Sequence, residues 1–234
     1  MRILIFADLH ANWEALQALQ VVESKPDAIF FLGDIVDYGP DPVACLTWIK
    51  ENVTHAVRGN HDQAVGTQVD CRSPQEYHQL AVATRQHTWR MLREADLTYL
   101  TTLPLEERVR VEGTTFYLTH ASPGDNLYGA LDLIATRQES LEEEMAHAKA
   151  DVVLVGHTHV PAIRKVGQVY FVNPGSIGQP RHGSPSATYA LWKDGKLAIR
   201  HVDYDWSRTQ QKLSLLPLDP EHVQRLQEIL ERGL

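Results

Sequence analysis

Residues 28–37 read AIFFLGDIVD, an apolar run of five residues followed by a glycine and two aspartates. The run Ala28–Leu32 is short and uncharged, which is typical of a buried β-strand. Gly33 permits a tight turn directly after this strand. Asp34 and Asp37 therefore follow at the carboxyl end of the strand, where α/β folds bind their ligands.

Four other short apolar runs also lead into Asp, Asn or His side chains. They are Ile3–Phe6, followed by Asp8 and His10; His55–Val57, followed by Asn60 and His61; Thr115–Leu118, followed by His120; and Val152–Val155, followed by His157 and His159. In open α/β sheets the carboxyl ends of the strands meet at one crevice. Five strand ends that supply such similar side chains predict one common site.

Capping signals predict helices between the early strands. These helices begin at Asn12, at Asp41-Pro42, at a capping box over residues 73–76 that opens a helix to about Glu94, and at Gln138. A last helix is expected at about 219–233. Strands that alternate with helices predict an α/β fold with a largely parallel sheet at the front of the chain.

Later patterns change from helices to hairpins. Further strands are predicted at Val169–Val172, Thr188–Trp192 and Leu197–Val202, with turn signals at residues 166–168 and 193–196. They indicate a second, more antiparallel sheet packed on the first. We expect a single domain over residues 1–234, in which a helical segment at about 63–104 caps the site.

The composition limits the classes of function. The 234 residues are 43% hydrophobic and 22% charged, as in globular proteins, and the net charge of −8 argues against stable binding to nucleic acid or anionic membranes. No apolar run approaches the roughly 18 residues of a membrane span, and the segment before Asp8 is too short for a signal-peptide core. Two distant cysteines, Cys45 and Cys71, exclude a cysteine-type zinc site and are expected of a cytoplasmic protein.

The side chains at the strand ends are carboxylates, an amide and imidazoles. This set suits Mn²⁺ or Fe²⁺, with Zn²⁺ as an alternative, and does not suit an all-oxygen Ca²⁺ site. There are too many candidates for one tetrahedral ion, whereas two divalent ions roughly 3.5–4 Å apart that share a carboxylate would use them all. The candidates are Asp8, His10, Asp34, Asn60, His120, His157 and His159.

The order of these residues resembles that of the calcineurin-like metallophosphoesterases. Asp-x-His, Gly-Asp-x-x-Asp, Gly-Asn-His-Asp, a single His and Gly-His-x-His follow one another between Asp8 and His159. Residues 173–181, NPGSIGQPR, extend the resemblance to the small single-domain bacterial branch, which contains phosphodiesterases and hydrolases of dinucleoside polyphosphates. The resemblance implies a β-sandwich of two packed mixed β-sheets flanked by helices.

The resemblance also implies roles for the candidate residues. One ion would be held by Asp8, His10 and His159, the other by Asn60, His120 and His157, and Asp34 would bridge them. A water shared by two such ions would lose a proton near neutral pH and attack phosphorus. His61 would protonate the leaving group, and Asp37 would hold its imidazole in the useful tautomer.

The chain departs from the protein Ser/Thr phosphatases of this superfamily, which have Arg-Gly after the second Asp and Glu after Asn-His. Here Tyr38-Gly39 and Asp62 stand at these places. Without that phosphate-gripping arginine, we expect a phosphodiester or phosphoanhydride of a small nucleotide-like substrate, with Arg181 as a candidate phosphate contact. A phosphomonoesterase and a non-catalytic metal-binding scaffold stay open as alternatives, as does homo-oligomerisation.

Overall fold

The computed structural model describes residues 1–234 and contains two five-stranded β-sheets. The strands are β1 (Arg2–Phe6), β2 (Ala28–Phe31), β3 (His55–Ala56), β4 (Glu106–Val111), β5 (Thr114–Thr119), β6 (Val152–Leu154), β7 (Ala162–Val166), β8 (Val169–Asn173), β9 (Ala187–Lys193) and β10 (Lys196–Val202). The first sheet has the order β10-β9-β1-β2-β3 and the second the order β4-β5-β6-β8-β7.

Parallel strands at the middle of both sheets determine where the loops meet. β1 pairs in parallel with β2, with Ile3 opposite Ala28, and β2 pairs in parallel with β3. In the second sheet β6 lies in parallel between β5 and β8, with Phe116 opposite Val152. The loops after β1, β2 and β3 therefore leave from one edge of the first sheet, as do those after β5, β6 and β8 from the second.

The sheets pack on each other through aromatic and branched aliphatic side chains. Phe30 of the first sheet meets Phe116 of the second with ring centroids 5.7 Å apart, and Phe116 meets Trp192 at 5.1 Å. Ile3, Ile5 and 9 other fully or largely buried apolar residues belong to the same cluster of 14. Burying each large apolar side chain contributes about 1.5–3 kcal/mol, so this layer is a main source of stability.

Eight helices surround the sheets. They are α1 (Trp13–Val22), α2 (Pro42–Asn52), α3 (Asn60–Thr67), α4 (Gln75–Met91), α5 (Glu94–Thr102), α6 (Gln138–Ala148), α7 (Trp206–Leu213) and α8 (Pro220–Arg232). Helices α1 and α2 cover the outer face of the first sheet, and Leu141 of α6 packs against Tyr117 and Phe171 of the second. None of the eight combines the length and apolarity that crossing a membrane requires.

Helices α4 and α5, which we call the cap, occupy most of the segment at about 63–104 that was expected to form a helical cap. Tyr77 and Leu80 of α4 pack in one cluster with Leu226 and Leu230 of α8. Tyr38, which follows the second Asp of Gly-Asp-x-x-Asp, belongs to that same cluster. The cap is thus joined both to the C-terminal helix and to a loop that carries candidate site residues.

The prediction of two packed mixed sheets flanked by helices is confirmed, but the expected division between them is wrong. The C-terminal hairpin of β9 and β10 joins the first sheet, because β9 pairs antiparallel with β1. Each sheet consequently has two parallel and two antiparallel strand pairs, and the second is not the more antiparallel. Strand β4, with the sequence EERVRV, was missed because its alternate residues are charged and exposed at the sheet edge.

Some predicted helix ends also need correction. Asn12 does cap α1, since its Oδ1 accepts from the Ala15 amide at 3.2 Å. The capping box at residues 73–76 is absent, because α4 begins one residue later than expected, with Pro74 in the capping position. The helix expected to reach Glu94 ends at Met91, and α5 then starts at Glu94. The Asp41 carboxylate bonds Lys212 Nζ at 2.7 Å instead of capping α2.

Candidate metal centre

The structure brings all seven candidate ligands together. Six of them lie in the loops after β1, β2, β5 and β6, and Asn60 is the first residue of α3, four residues after β3, so all seven are at strand ends of the two sheets. Six of them are at most 2% exposed, and His157 is partly buried. Carboxylates and imidazoles this deeply buried require partners that compensate for their lost hydration.

The loops that carry these residues have unusual backbone conformations. Positive φ angles, which favour glycine, occur at candidate ligands and their neighbours: Asp8 (53°), His10 (45°), Asp34 (64°), Asp37 (66°), Tyr38 (61°), His157 (67°) and His159 (60°). Each such residue costs on the order of 1–3 kcal/mol, and this kind of strain concentrates at functional sites. The surrounding packing therefore holds these side chains in positions that the local chain alone would not favour.

A predicted glycine makes the convergence of three loops possible. Gly33 has φ +95°, and a Cβ on it would lie 2.6 Å from the Gly59 amide nitrogen and 2.9 Å from His120 Nδ1. Real Cβ atoms do not approach other atoms so closely. Any other residue at position 33 would separate the loops after β2, β3 and β5.

The first group of candidate ligands consists of Asp8, His10 and His159. His10 Nε2 lies 3.2 Å from His159 Nε2, which lies 3.5 Å from Asp8 Oδ1. Both imidazoles donate from Nδ1 to a backbone carbonyl, His10 to Val36 at 2.9 Å and His159 to Gln179 at 2.6 Å. Because a carbonyl only accepts, the two neutral rings direct their Nε2 lone pairs at each other.

The second group consists of Asn60, His120 and His157. Asn60 Oδ1 lies 2.9 Å from His120 Nε2 and 3.1 Å from His157 Nδ1, and the two imidazole nitrogens are 3.2 Å apart. The Asn60 amide donates to the Cys71 carbonyl at 2.6 Å, and His120 donates from Nδ1 to the Leu32 carbonyl at 2.8 Å. These outer bonds direct Asn60 Oδ1 and His120 Nε2 toward the inside of the group.

Asp34 lies between the two groups. Its Oδ2 is 3.3 Å from His120 Nε2 of the second group and 3.8 Å from His10 Nε2 of the first. Its Oδ1 accepts from the His61 amide at 2.9 Å, which fixes the carboxylate plane. Asp8, Asp34 and His120 also form a group whose ligand atoms lie within 4.8 Å of one another.

This set of candidate ligand atoms fits divalent cations. In the first group two lone pairs face each other beside Asp8 Oδ1, a buried acceptor with no hydrogen-bond partner. Acceptors packed this tightly repel one another unless a positive charge lies among them. Carbonyl bonds to the far side of ligand imidazoles are also what orients histidine in metal sites.

The protonation states follow from burial and from neighbouring charges. Burial lowers the pKa of His10 and that of His157 to about 3, and it also lowers the pKa of His159. Three of the imidazoles are therefore neutral, which is the form that binds metal ions. His120 differs, because Asp34 raises its pKa to about 9 against the effect of burial. Although burial acts in the opposite direction, His120 and His61 hold the pKa of Asp34 well below its usual range.

His61 and Asp37 form a buried pair beside the two groups. His61 Nδ1 lies 2.9 Å from Asp37 Oδ2, which leaves Nε2 as the ring nitrogen available to a substrate. His61 also lines a pocket together with Asp34, His157 and Arg181. Burial opposes it, but Tyr38, Asp34 and Asp37 raise the pKa of His61 well above its usual value.

Arg181 lies at the entrance of this pocket, on the loop after β8. Its guanidinium carbon is 3.7 Å from the centre of the Tyr77 ring of the cap, and Nη2 donates to Gln179 Oε1 at 2.6 Å. Its buried Nε has no protein partner. Ser73 and Pro74, which directly precede α4, line the same pocket.

Three further residues support the site, and the sequence analysis assigned this role to none of them. The Asp62 carboxylate accepts from the backbone amides of Gly59, Asp34 and Ile35 at 2.8–3.1 Å. The Tyr38 ring packs against His10 and His61 with centroids 4.8 and 4.9 Å away, and its buried hydroxyl has no partner. Arg85 of α4 bonds Asp37. The motif positions flagged Tyr38 and Asp62, whereas no local pattern singles out Arg85.

Comparisons with known proteins agree with this geometry. Residues 1–194 match the family described as Calcineurin-like phosphoesterase superfamily domain. The chain is 29% identical over 231 residues to the uncharacterized protein MJ0912 of Methanocaldococcus jannaschii, with 90% of this chain and 91% of that protein covered. It is 23% identical over 201 residues to the phosphodiesterase YfcE of Escherichia coli, with 85% and 91% covered.

A solved structure extends the similarity to the whole fold. The crystal structure of a metallophosphoesterase from Sphaerobacter thermophilus superposes with a TM-score of 0.81 at 28% sequence identity, covering 97% of this chain and 98% of that one. The family match covers well over half of the chain, and the site contains groups of side chains that could hold a metal ion. The chain therefore belongs to the calcineurin-like phosphoesterase superfamily and is a metal-dependent hydrolase of phosphoric esters.

Proposed function

We propose that this protein hydrolyses phosphodiesters or phosphoanhydrides of small nucleotide-type substrates with two divalent metal ions. The observation that carries the proposal is the pair of adjoining groups of inward-facing candidate ligand atoms with Asp34 between them. Asp8, His10 and His159 would hold one ion, and Asn60, His120 and His157 the other. Mn²⁺ and Fe²⁺ suit this mixture of carboxylate, amide and imidazole, and Zn²⁺ is the alternative.

A bound pair of divalent ions supplies charge to polarise the phosphoryl group and to activate water at neutral pH. The protein's own contribution to the chemical step is the His61 imidazole. As water adds to phosphorus and the bond to the leaving oxygen breaks, His61 gives its Nε2 proton to that oxygen. The imidazole then regains a proton, equal to the one released by the attacking water. Asp37 keeps the imidazole oriented through Nδ1.

Two groups at the pocket support a phosphorylated substrate with a second anionic group. Arg181 Nε and the Tyr38 hydroxyl are buried without partners, and both residues line the pocket. We assign Arg181 to a second phosphate and Tyr38 to a phosphoryl oxygen. A cap that narrows the entrance would favour small molecules over phosphoproteins, and the net charge of −8 disfavours long polyanions.

The experiment is a comparison of substrates with protein that has been stripped of metal and reconstituted with Mn²⁺, Fe²⁺ or Zn²⁺. We expect two ions per chain, metal-dependent turnover, and the highest kcat/KM with a dinucleoside polyphosphate or a simple phosphodiester. A phosphopeptide or a single-stranded oligonucleotide that is preferred by about tenfold or more would contradict the substrate class. Bound metal without turnover of any phosphoric ester would favour the non-catalytic scaffold.

A further inference from the structure

Arg85 is a buried cation on cap helix α4, only 4% exposed. It donates to Asp37 Oδ2 from Nε at 3.0 Å and from Nη2 at 2.8 Å. The same oxygen accepts from His61 Nδ1 at 2.9 Å. One carboxylate oxygen therefore joins a cap residue to the imidazole that faces the substrate pocket.

Helix α4 holds the turn that carries Asp37 at a second point. Thr84, the residue before Arg85, accepts from the Tyr38 amide through Oγ1 at 2.9 Å. Asp37 and Tyr38 have φ angles of 66° and 61°, which non-glycine residues adopt only under constraint. Two consecutive residues of α4 thus constrain two consecutive strained residues of the site.

The charges explain why this contact matters for the orientation of His61. Asp37 is fully buried, and its other oxygen, Oδ1, has no hydrogen-bond partner. Oδ2 is thus the only carboxylate oxygen with hydrogen-bond partners, and without Arg85 its one side-chain donor is the imidazole. A buried carboxylate that loses its cation is strongly destabilised and rearranges. Such a rearrangement would release His61 from its fixed orientation.

We propose that Arg85 is a positioning residue that acts through Asp37 to hold His61 in place for proton donation to the leaving group. The cap then contributes to general acid catalysis through Arg85, in addition to its place beside the pocket. This inference rests on the proposed function, because it assumes that His61 protonates the leaving oxygen. It predicts an effect of Arg85 on leaving groups that need a proton and little effect on those that do not.

The test is the ratio of kcat for a phosphodiester with a good aryl leaving group to kcat for one with a poor alkyl leaving group, measured with Mn²⁺-reconstituted protein. This ratio does not depend on the fraction of enzyme that is folded, so a loss of stability does not alter it. In Arg85→Met we expect kcat for the alkyl ester to fall by about 10- to 100-fold, the cost of a small misplacement of a catalytic group. The aryl ester should change little, and bound metal should stay the same.

Two variants and one control sharpen the result. Arg85→Lys keeps the charge but not the two-point contact, so its ratio should rise less than that of Arg85→Met, and it carries the test if Arg85→Met does not fold. In an Asp37→Asn background, Arg85→Met should not move the ratio further. Arg90→Met, an exposed arginine on the same helix, should leave the ratio at the wild-type value.

The outcomes separate this inference from the proposed function. The inference is overturned if two results occur together. The ratio stays at the wild-type value in Arg85→Lys and in the folded fraction of Arg85→Met, and the ratio rises in His61→Ala. Arg85 then has only a structural role. If His61→Ala also leaves the ratio unchanged, the acid role of His61 fails first. If the wild-type protein hydrolyses neither of these esters nor a dinucleoside polyphosphate, the proposed function itself is wrong.

Discussion

The strand-end loops and the cap contribute to one pocket in different ways. The candidate ligands follow strands directly and are held by backbone carbonyls and amides, as His10 is by Val36 and Asp34 by its contact with the His61 amide. The cap contributes through side chains of a helix far along the chain, Tyr77 against Arg181 and Arg85 on Asp37. Changes in the loops should therefore remove metal, and changes in the cap should alter selectivity with metal in place.

The largest effect is expected from Asp34→Ala. This side chain lies between imidazoles of both groups, whereas the imidazole nitrogen beside the Asp8 carboxylate, at 3.5 Å, belongs to His159 of the first group. Even outer contacts to metal ligands are worth about 10- to 100-fold in affinity or activity, so loss of a shared ligand should cost more. Metal analysis and kcat/KM should both rank Asp34→Ala below Asp8→Ala. Equal metal content and equal activity in the two variants would contradict a bridging Asp34.

His61→Ala should reduce kcat by about 10²- to 10⁴-fold, the range of general acid catalysis. Metal content should stay near the wild-type level, because the imidazole lies beside the two groups and not within them. The loss should shrink for esters with good leaving groups, and Asp37→Asn should show the same pattern in milder form. Loss of metal in His61→Ala, or an Asp37→Asn protein with full activity, would remove the pair from the mechanism.

Arg181 tests the boundary between the two regions, since it follows a strand but stacks on the cap. Charge-assisted hydrogen bonds contribute about 1.5–3 kcal/mol, so Arg181→Met should raise KM by roughly 10- to 150-fold for substrates with more than one phosphate. The kcat should change little, because this contact is made equally in the ground state and the transition state. Arg200→Met, at an exposed position on β10, is the matched control. An equal rise in KM for a simple phosphodiester would show that Arg181 does not select a second phosphate.

The same two regions explain how much the sequence could predict. A strand, a turn and a polar residue are adjacent in the chain, so the positions of Asp8, Asp34 and Asn60 follow from local pattern. The contact of Arg85 with Asp37 spans 48 residues and depends on how α4 packs, which periodicity does not encode. The prediction of which strands belong to which sheet was wrong for the same reason, because the pairing of β9 with β1 is non-local.

The charged edge strand shows a second limit of prediction. In β4, exposed Glu106, Arg108 and Arg110 alternate with partly buried residues, so its apolar signal is weak. The segment forms a strand because its backbone pairs antiparallel with that of β5, with Val109 opposite Phe116. Backbone pairing therefore stabilises a strand that its side-chain pattern does not predict.

The smallest effect is expected from Tyr38→Phe, which removes one hydroxyl and keeps the ring that packs against His10 and His61. A neutral hydrogen bond contributes about 0.5–1.5 kcal/mol, so KM should rise by roughly 2- to 12-fold if this hydroxyl bonds the substrate. The melting temperature should be unchanged or higher, because the hydroxyl is buried with no protein partner and its removal relieves a desolvation penalty. Tyr170→Phe, in the second sheet, serves as the control and should leave KM unchanged. A lower melting temperature with an unchanged KM would mean that the hydroxyl serves the fold and does not contact the substrate.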